Sequence, residues 1–509
     1  MASGNLLMKM IEYSKIINKR RGEGHLKNDS QFSKLIYEYF LIRFRFNYYK
    51  YGDILPTIDK LCQEFGVGAQ TVKAALRRLR DEGYISMQSG QFTKVLFRQT
   101  KEELAAFIRL YYSGRRAAFS DLYKSSELVF VPMLTEGLRR MDEKDLAYLE
   151  QLSICADMDD LFHFYSYTLQ KVENPLTINL FLEVSLFLGF PFGKMETDLL
   201  FYDNTIVSQR LQTLLAQVRA QDWDSVHQSL LSYQRSDVSL ASTYLDQLAR
   251  RFPAPEQTPF VWRVYRDRPQ LCYSLAVRIM HEIYMGEYRE TEFLPSYEKM
   301  AEKYDVSVST MRRTVRVLNQ AGVAESVNGI GTRIFTVGKR CNEPDFDCPA
   351  VRRNLALFAQ SFEMIIYSCR EASYSMFSSL SKEVLSDLIR QLEEYKNTGK
   401  YELSTWQVLI CIAKYSPFKG VREIYSKVYG LFLWGYPLKG SFKETSRLDR
   451  ISEQFNENLT EGLKRKDYCR CSAIVEDLFK KQFPVSEDYL QKCGLRPEEL
   501  WLSHPICLF

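Results

Sequence analysis

The chain has 509 residues, 46% of them hydrophobic and 26% charged, with a formal net charge of +5. It is long enough for several cores, and its balance is that of an ordinary globular protein whose mild charge does not by itself mark a nucleic-acid binder. The eleven cysteines include no Cys-x-x-Cys, the five histidines are scattered, and no apolar run approaches the ~18 residues of a membrane span. A disulfide scaffold, a zinc ribbon and a membrane protein are therefore not expected; reduced thiols in a cytoplasmic protein are.

Residues 1–32 read as an N-terminal extension, with an amphipathic stretch from Leu6 to Ile17 and a basic run from Lys19 to Lys27. Residues 33–98 read as a winged helix-turn-helix. Residues 33–50, rich in Tyr, Phe and Arg, supply its first helix. Leu55-Pro56-Thr57 opens a second, with Thr57 as cap, Leu61 and Phe65 on one side and Gly66 at its end. The spacing predicts a third helix from Ala69 to Asp81, with Val72, Leu76 and Leu79 as its apolar stripe. Lys73 and Arg77 share a different face, and Gly83 stops the helix. Tyr84–Gln88 and Phe92–Phe97 then read as the strands of a wing around Ser89-Gly90.

Residues 99–252 read as an all-helical body, with apolar residues every three or four positions and turns at Asn174-Pro175 and Gly189. Asp159 and His163 lie on one helical face at a spacing suited to a metal, but two ligands are too few for a tight site. Gln221-Asp222-Trp223 begins the last helix. Residues 253–271 contain Pro253, Pro255 and Pro259 among polar residues and read as an interdomain linker.

The pattern then returns. Leu55 and Leu294, Thr71 and Thr310, Gly83 and Gly322, and Gly90 and Gly329 are all 239 apart. Residues 272–338 thus form a second winged helix: 272–285 as first helix, Ser296 as cap, Met300 and Tyr304 inside, Asp305 at the turn. Met311, Val315 and Leu318 are its stripe, and Arg312 and Arg316 its outward pair. Residues 339–484 repeat the helical body. The segment 186–192 meets 431–438, Asp222-Trp223 meets Asp467-Tyr468, and Phe252-Pro253 meets Phe483-Pro484. Residues 485–509, with Trp501, are a C-terminal extension. The expected fold is mainly α: two winged helices, each followed by an all-helical bundle, by internal tandem duplication.

Leu-Pro-Thr/Ser, the Phe-Gly-Val and Tyr-Asp-Val turns, Thr-Val-Lys-Ala-Ala-Leu-Arg-Arg-Leu and the wing Asn328-Gly329-Ile330-Gly331-Thr332-Arg333 resemble the GntR family of bacterial transcription regulators. Family members commonly carry Arg where this chain has Asp59, Ala69, Glu298 and Val308, and the wing glycine of the second copy, Gly331, is Phe92 in the first. The bodies are similar, more weakly, to the FCD effector domain of the FadR subgroup. That domain commonly holds a metal with Asp-x-x-x-His and two later histidines. Asp159 and His163 match the first pair, but the later positions fall near Leu211 and Tyr233, and the pair itself falls near Thr405 and Leu409 in the second copy. The resemblance therefore implies no metal and no cofactor.

What it implies instead is a non-enzymatic regulator that binds double-stranded DNA. The expected DNA-binding residues are Gln70, Thr71, Lys73, Arg77, Gly90 and Lys94 in the first module, and Ser309, Thr310, Arg312, Arg313, Arg316, Gly329 and Arg333 in the second. The chain is expected to act as an intramolecular pseudo-dimer on an asymmetric operator, with a small-molecule effector in the helical domains. Pairing of two such chains into a homodimer is a further expectation. The alternative is an interaction or scaffold protein whose winged helices no longer bind DNA specifically. No phosphate-binding Gly-rich loop or nucleophile elbow points to an enzyme.

Overall fold

The computed structural model describes residues 31–65, 68–88, 91–154, 156, 158–189, 203–253, 256–264, 271–288, 291–335, 343–441 and 445–495. The basic run at 19–27, Gly66, Ser89, Gly90, Pro255 and Trp501 lie outside them. The architecture is mainly α, with two small antiparallel sheets.

Helices α1 (Gln31–Arg45), α2 (Ile58–Phe65) and α3 (Ala69–Asp81) build the first winged helix. Thr57 Oγ1 accepts from Lys60 N at 3.3 Å at the start of α2. Val72, Leu76 and Leu79 are buried together with Leu61 and with Ile36, Phe40 and Phe44 of α1. The chain leaves α3 through Gly83 at φ +81°, a left-handed turn that a side chain would strain. The expected wing strands shrink to two residues each, β1 (Ile85–Ser86) and β2 (Lys94–Val95). Ile85 and Val95, which face each other across the pair, are buried; Tyr84, Met87 and Phe97 pack half-buried beside them, while Phe92 and Leu96 are exposed.

The first helical body comprises α4 (Lys101–Ser113), α5 (Arg116–Arg139), α6 (Glu143–Ser153), α7 (Met158–Gln170), α8 (Pro175–Leu188), α9 (Asn204–Arg219) and α10 (Trp223–Arg251). Side-chain caps at Thr100, Asp142, Asn174, Asp203 and Asp222 start five of them.

The expected linker is instead a docked strap. The break between α4 and α5 frees backbone groups, and residues 257–258 satisfy them. Gln257 Nε2 donates to Ser113 O (2.8 Å), Thr258 N donates to Gly114 O (2.6 Å), and Ala117 N donates to Gln257 Oε1 (3.2 Å). Trp262 is 1% exposed; its Nε1 donates to Asn179 Oδ1 of α8 (2.8 Å) and its backbone N to Glu423 Oε1 of the second half (3.0 Å). Arg263 reaches Glu38 of α1 at 2.8 Å and Glu183 of α8 at 3.0 Å. Prolines and polar neighbours suggest a tether, but Phe260, Trp262 and Val264 bury enough apolar surface to seat it.

The second winged helix consists of α11 (Leu271–Met285), β3 (Phe293–Leu294), α12 (Tyr297–Lys303), α13 (Val308–Gln320), β4 (Ala324–Val327) and β5 (Gly331–Ile334). Its sheet runs β3-β5-β4, antiparallel throughout. Met300, Tyr304, Met311, Val315 and Leu318 are buried, and Asp305 takes the turn at φ +51°.

The second body comprises α14 (Pro349–Ser379), α15 (Lys382–Asn397), α16 (Leu403–Tyr415), α17 (Lys419–Phe432), a 3₁₀ segment (Leu433–Ser441), α18 (Thr445–Arg465) and α19 (Tyr468–Lys492). The duplication is visible in the backbone. Gln221 (φ +54°) precedes the cap Asp222, and Lys466 (φ +57°) precedes the cap Asp467; each carboxylate accepts from the N–H three residues on. One correspondence fails. Phe252 closes α10, whereas Pro484 sits inside α19, so the boundary expected at 484–485 falls within a helix. Buried Phe479 and Leu490 on either side hold that helix to the core despite the missing N–H.

The two bodies pack on each other, α5 against α14 and α17, and α14 against α8. Helix α17 starts at Phe418, which offers no cap. The other half supplies one: Lys419 N and Gly420 N donate to the Asp121 carboxylate at 2.7 and 2.6 Å, and Val421 N donates to Ser125 Oγ at 3.1 Å. Position 420 must be glycine-sized, since a Cβ there would lie 2.5 Å from Ser125 Oγ. In the reciprocal contact Asn174 caps α8 itself and donates from Nδ2 to Gln360 O (2.9 Å) and Glu363 Oε2 (2.8 Å) of α14. Arg140 donates to Tyr367 OH, which donates to Glu363 Oε1 at 3.0 Å. Burial pushes the Glu363 carboxyl up to about 7, against the opposing hydrogen bonds of Asn174 and Tyr367 and the charge of Arg140. No helix among the described residues is long and apolar enough to cross a membrane.

Replacing Asp121 by Ala should cost about 1–2 kcal/mol in urea unfolding, as loss of a helix cap does. Glu363 holds its proton more tightly folded than unfolded. Its contribution to stability is therefore full below about pH 4.5, the ordinary value, and is lost as pH rises through about 7. Glu363→Gln should remove that fall, measured as unfolding free energy between pH 5 and pH 8 in wild type and variant.

Candidate nucleic-acid interface

In each module a helix-turn-helix presents its second helix to solvent. On α3, Gln70 and Arg77 are exposed, and Thr71 and Lys73 are partly buried. On α13, Ser309, Arg312, Arg313 and Arg316 are exposed and Thr310 is partly buried. Helical period separates these cations from the apolar stripes. It also sends the neighbouring Arg78 inward, 3.8 Å from the Tyr37 ring centroid and 3.2 Å from Glu82, so Arg78 is a structural residue. Lys73, Arg77, Arg313 and Arg316 make no side-chain hydrogen bond or ion pair with another described residue. Among the described residues, Arg312 has the Tyr297 ring as its one side-chain neighbour of this kind, 5.9 Å away.

The helix starts differ. Ser307 Oγ accepts from Thr310 N at 3.2 Å and lies 2.9 Å from both Ser309 Oγ and Thr310 Oγ1. Gly68, at the start of α3, has no side chain to cap with, and Thr71 N turns to Gly68 O at 3.0 Å instead.

The wings differ too. In the second, the turn holds Gly329 at φ +74° and leaves Ile330 71% exposed at the tip. Arg333 is exposed on β5 but lies 3.7 Å from Glu292, so part of its charge is already answered. In the first, Lys94 is exposed on β2 and Phe92 projects, 67% exposed. Gly90, the remaining expected site residue, lies outside the described residues.

A cluster not legible in the motif steadies the second module. Lys303 Nζ lies 2.9 Å from Glu282 and 2.5 Å from Glu287, and the Tyr304 hydroxyl donates to Glu282. Burial alone would raise the Glu282 carboxyl, but hydrogen bonds from Lys303, Tyr304 and Tyr288 hold it below the usual range. This ties α12 to α11 beneath the recognition helix. In the first body, His163 lies on α7, Leu211 is buried on α9, and Tyr233 lies under Arg210. Among the described residues no group of three or more His, Cys, Asp or Glu side chains is placed to hold a metal.

Residues 33–95 and 274–334 both match the family described as bacterial regulatory proteins, gntR family. The two winged helices are gntR regulatory modules. These gntR matches leave the helical bodies outside. No curated protein matches the chain. Solved structures that match include Streptococcus agalactiae GntR, at 19% identity over 42% of this chain and 99% of that one, with a TM-score of 0.21. E. coli McbR/YncC matches at 17% identity over 44% of this chain and 99% of that one, TM-score 0.21. Lar, which controls the expression of the Listeria monocytogenes agr system and mediates virulence, matches at 14% identity over 43% and 96%, TM-score 0.20. At these identities and TM-scores the likenesses carry no argument about arrangement or function.

Ser307→Ala should cost α13 about 1 kcal/mol, read as faster amide hydrogen exchange at its first turn. Gly68→Ala should cost α3 about 0.5–1 kcal/mol, since glycine is a much better N-cap residue than alanine.

Proposed function

We propose that this gntR-type regulator binds DNA sequence-specifically as an intramolecular pseudo-dimer on an asymmetric operator. The observation that carries the reading is the repeated exposed helix whose cations no described acidic side chain answers: Arg77 with Lys73 on α3, and Arg312, Arg313 and Arg316 on α13. The second helix of such a motif enters the major groove with its N-terminal residues at base edges, and its cations neutralise phosphates. Gln70, Thr71, Ser309 and Thr310 are then the base-facing residues; Lys94, Arg333 and the wing glycines Gly90 and Gly329 approach the backbone.

The two readers differ at Gln70 and Ser309, and at Ala74 and Arg313, so the preferred half-sites differ. The packed bodies and the strap set their separation. An effector bound in a body would alter DNA affinity only through unequal affinity for two arrangements. A second reading, an interaction protein with degenerate winged helices, is favoured by Asp59, Ala69, Glu298 and Val308 where GntR proteins commonly carry arginine.

Selection of genomic fragments with the full chain, then footprinting, should give one site with two unequally protected halves. Lys73→Ala with Arg77→Ala, and Arg312→Ala with Arg316→Ala, should each weaken binding. Each pair should also reduce the slope of log K against log salt by about 2, one per lost phosphate contact. Unchanged affinity and slope in both pairs would favour the interaction protein, and a symmetric, equally protected palindrome would sink the asymmetric operator.

A further inference from the structure

Each wing carries a large apolar side chain that the core does not cover. Among the described residues, Ile330 at 71% and Phe92 at 67% are the most exposed of the large apolar side chains. The backbone holds Ile330 out. It stands between Gly329 at φ +74° and Gly331 at φ +143°, and nothing lies within 4 Å of where a Cβ on Gly329 would be. In the first wing, exposure alternates along the strand. Phe92, Lys94, Leu96 and Arg98 face solvent, Thr93 and Phe97 are half-buried, and Val95 is buried. Ile54 lies opposite Lys94 and is exposed beside it. The outer face of this wing is thus an apolar strip with cations set into it.

The two apolar residues have like neighbours, although the wing sequences differ. Gln91 precedes Phe92 and Lys94 follows it; Asn328 precedes Ile330 and Arg333 follows it, and all four are exposed. Lys94 makes no side-chain hydrogen bond or ion pair with another described residue, and Glu292 answers Arg333 only in part. Each wing is also fixed to its reading helix. Tyr84 N donates to Leu79 O at 2.9 Å in the first module, and Asn319 Nδ2 donates to Ser326 Oγ at 2.8 Å in the second. An apolar tip flanked by an amide and a cation fits the minor groove of DNA. There amides and cations read base edges and groove width, and an apolar side chain can enter between base pairs and unstack them.

We propose that Phe92 and Ile330 are wedges that enter the minor groove and kink the operator at two points. This rests on the proposed DNA binding and adds a second source of specificity to it. Unstacking is easiest at TA and CA/TG steps, so such a step belongs under each wing. The flat ring of Phe92 fills an opened step more fully than Ile330 does, which places the sharper kink in the first half-site.

The test uses the full chain and a selected genomic fragment whose footprint locates the step under each wing. The duplex is labelled at both ends for energy transfer and carries 2-aminopurine at each of those steps. Binding should bend it by about 20° or more and brighten both 2-aminopurines. Phe92→Ala and Ile330→Ala should each silence the probe under its own wing, and the double variant should leave the bound duplex straight. Both substitutions should leave the slope of log K against log salt unchanged, because no phosphate contact is lost. Lys94→Ala should instead lower that slope by about 1 while both probes still brighten. Replacing a TA step under a wing by GC should cost the wild type about tenfold in affinity and the double variant nothing. Straight DNA in the wild-type complex, or full bending by the double variant, overturns the wedges and leaves the DNA binding standing. A wild-type chain that retains no genomic fragment overturns both.

Discussion

Helix 419–432 begins at a phenylalanine, and its first N–H groups have no acceptor within their own half of the chain. Asp121 and Ser125, nearly 300 residues earlier, accept from them. Buried helix ends must be satisfied, so the second body is complete only when the first is in place. The reciprocal contact through Asn174 has the same logic with a different donor: there the cap is internal and its amide reaches across. A tether alone would give the two winged helices a high effective concentration and a broad spread of separations. The interlocked helix ends narrow that spread, and Arg263 and Trp262 extend the rigidity to the first module and to Glu423.

The two modules are not equally built. In the second, the wing belongs to a three-stranded sheet, Ser307 caps the recognition helix, and the Lys303–Glu282–Tyr304 cluster ties α12 to α11. In the first, the wing is two residues long on each side and Gly68 stands where a cap would be. Three exposed arginines on α13, against two on α3 of which Arg80 is paired with Asp81, follow the same division. The second module is thus the stronger candidate for specific contact, and the first for adjustable contact.

The winged helices were legible because their signals are local. A stripe such as Val72, Leu76 and Leu79, a cap such as Ser296 and a glycine turn such as Gly83 each act within one helix or its end. Period also separates Arg77 from Arg78. What lay beyond local reach was less legible. Wing length depends on which residues face each other across the hairpin. Arg333 looks free until Glu292 is placed beside it. Residues 256–264 have the composition of a tether, and only the positions of Asn179, Glu183 and Glu423 show that Trp262 and Arg263 are anchors. Asn174-Pro175 marks a turn correctly, but nothing near it in sequence announces Gln360 and Glu363. Pro484 shows the converse error: a strong local breaker overruled by buried neighbours on both sides.

The contact between α5 and the α14–α17 pair also bears on how the chain is made. Synthesis runs from the N-terminus, and domains fold as they emerge. Helix 116–139 is finished long before its partners at 349–379 and 419–432 exist. Throughout that interval the nascent chain carries a bare face and a strap with one anchor missing. An emerging second copy on the same messenger could seat itself there first, giving an exchanged dimer; only the shorter path within one polypeptide favours the correct match.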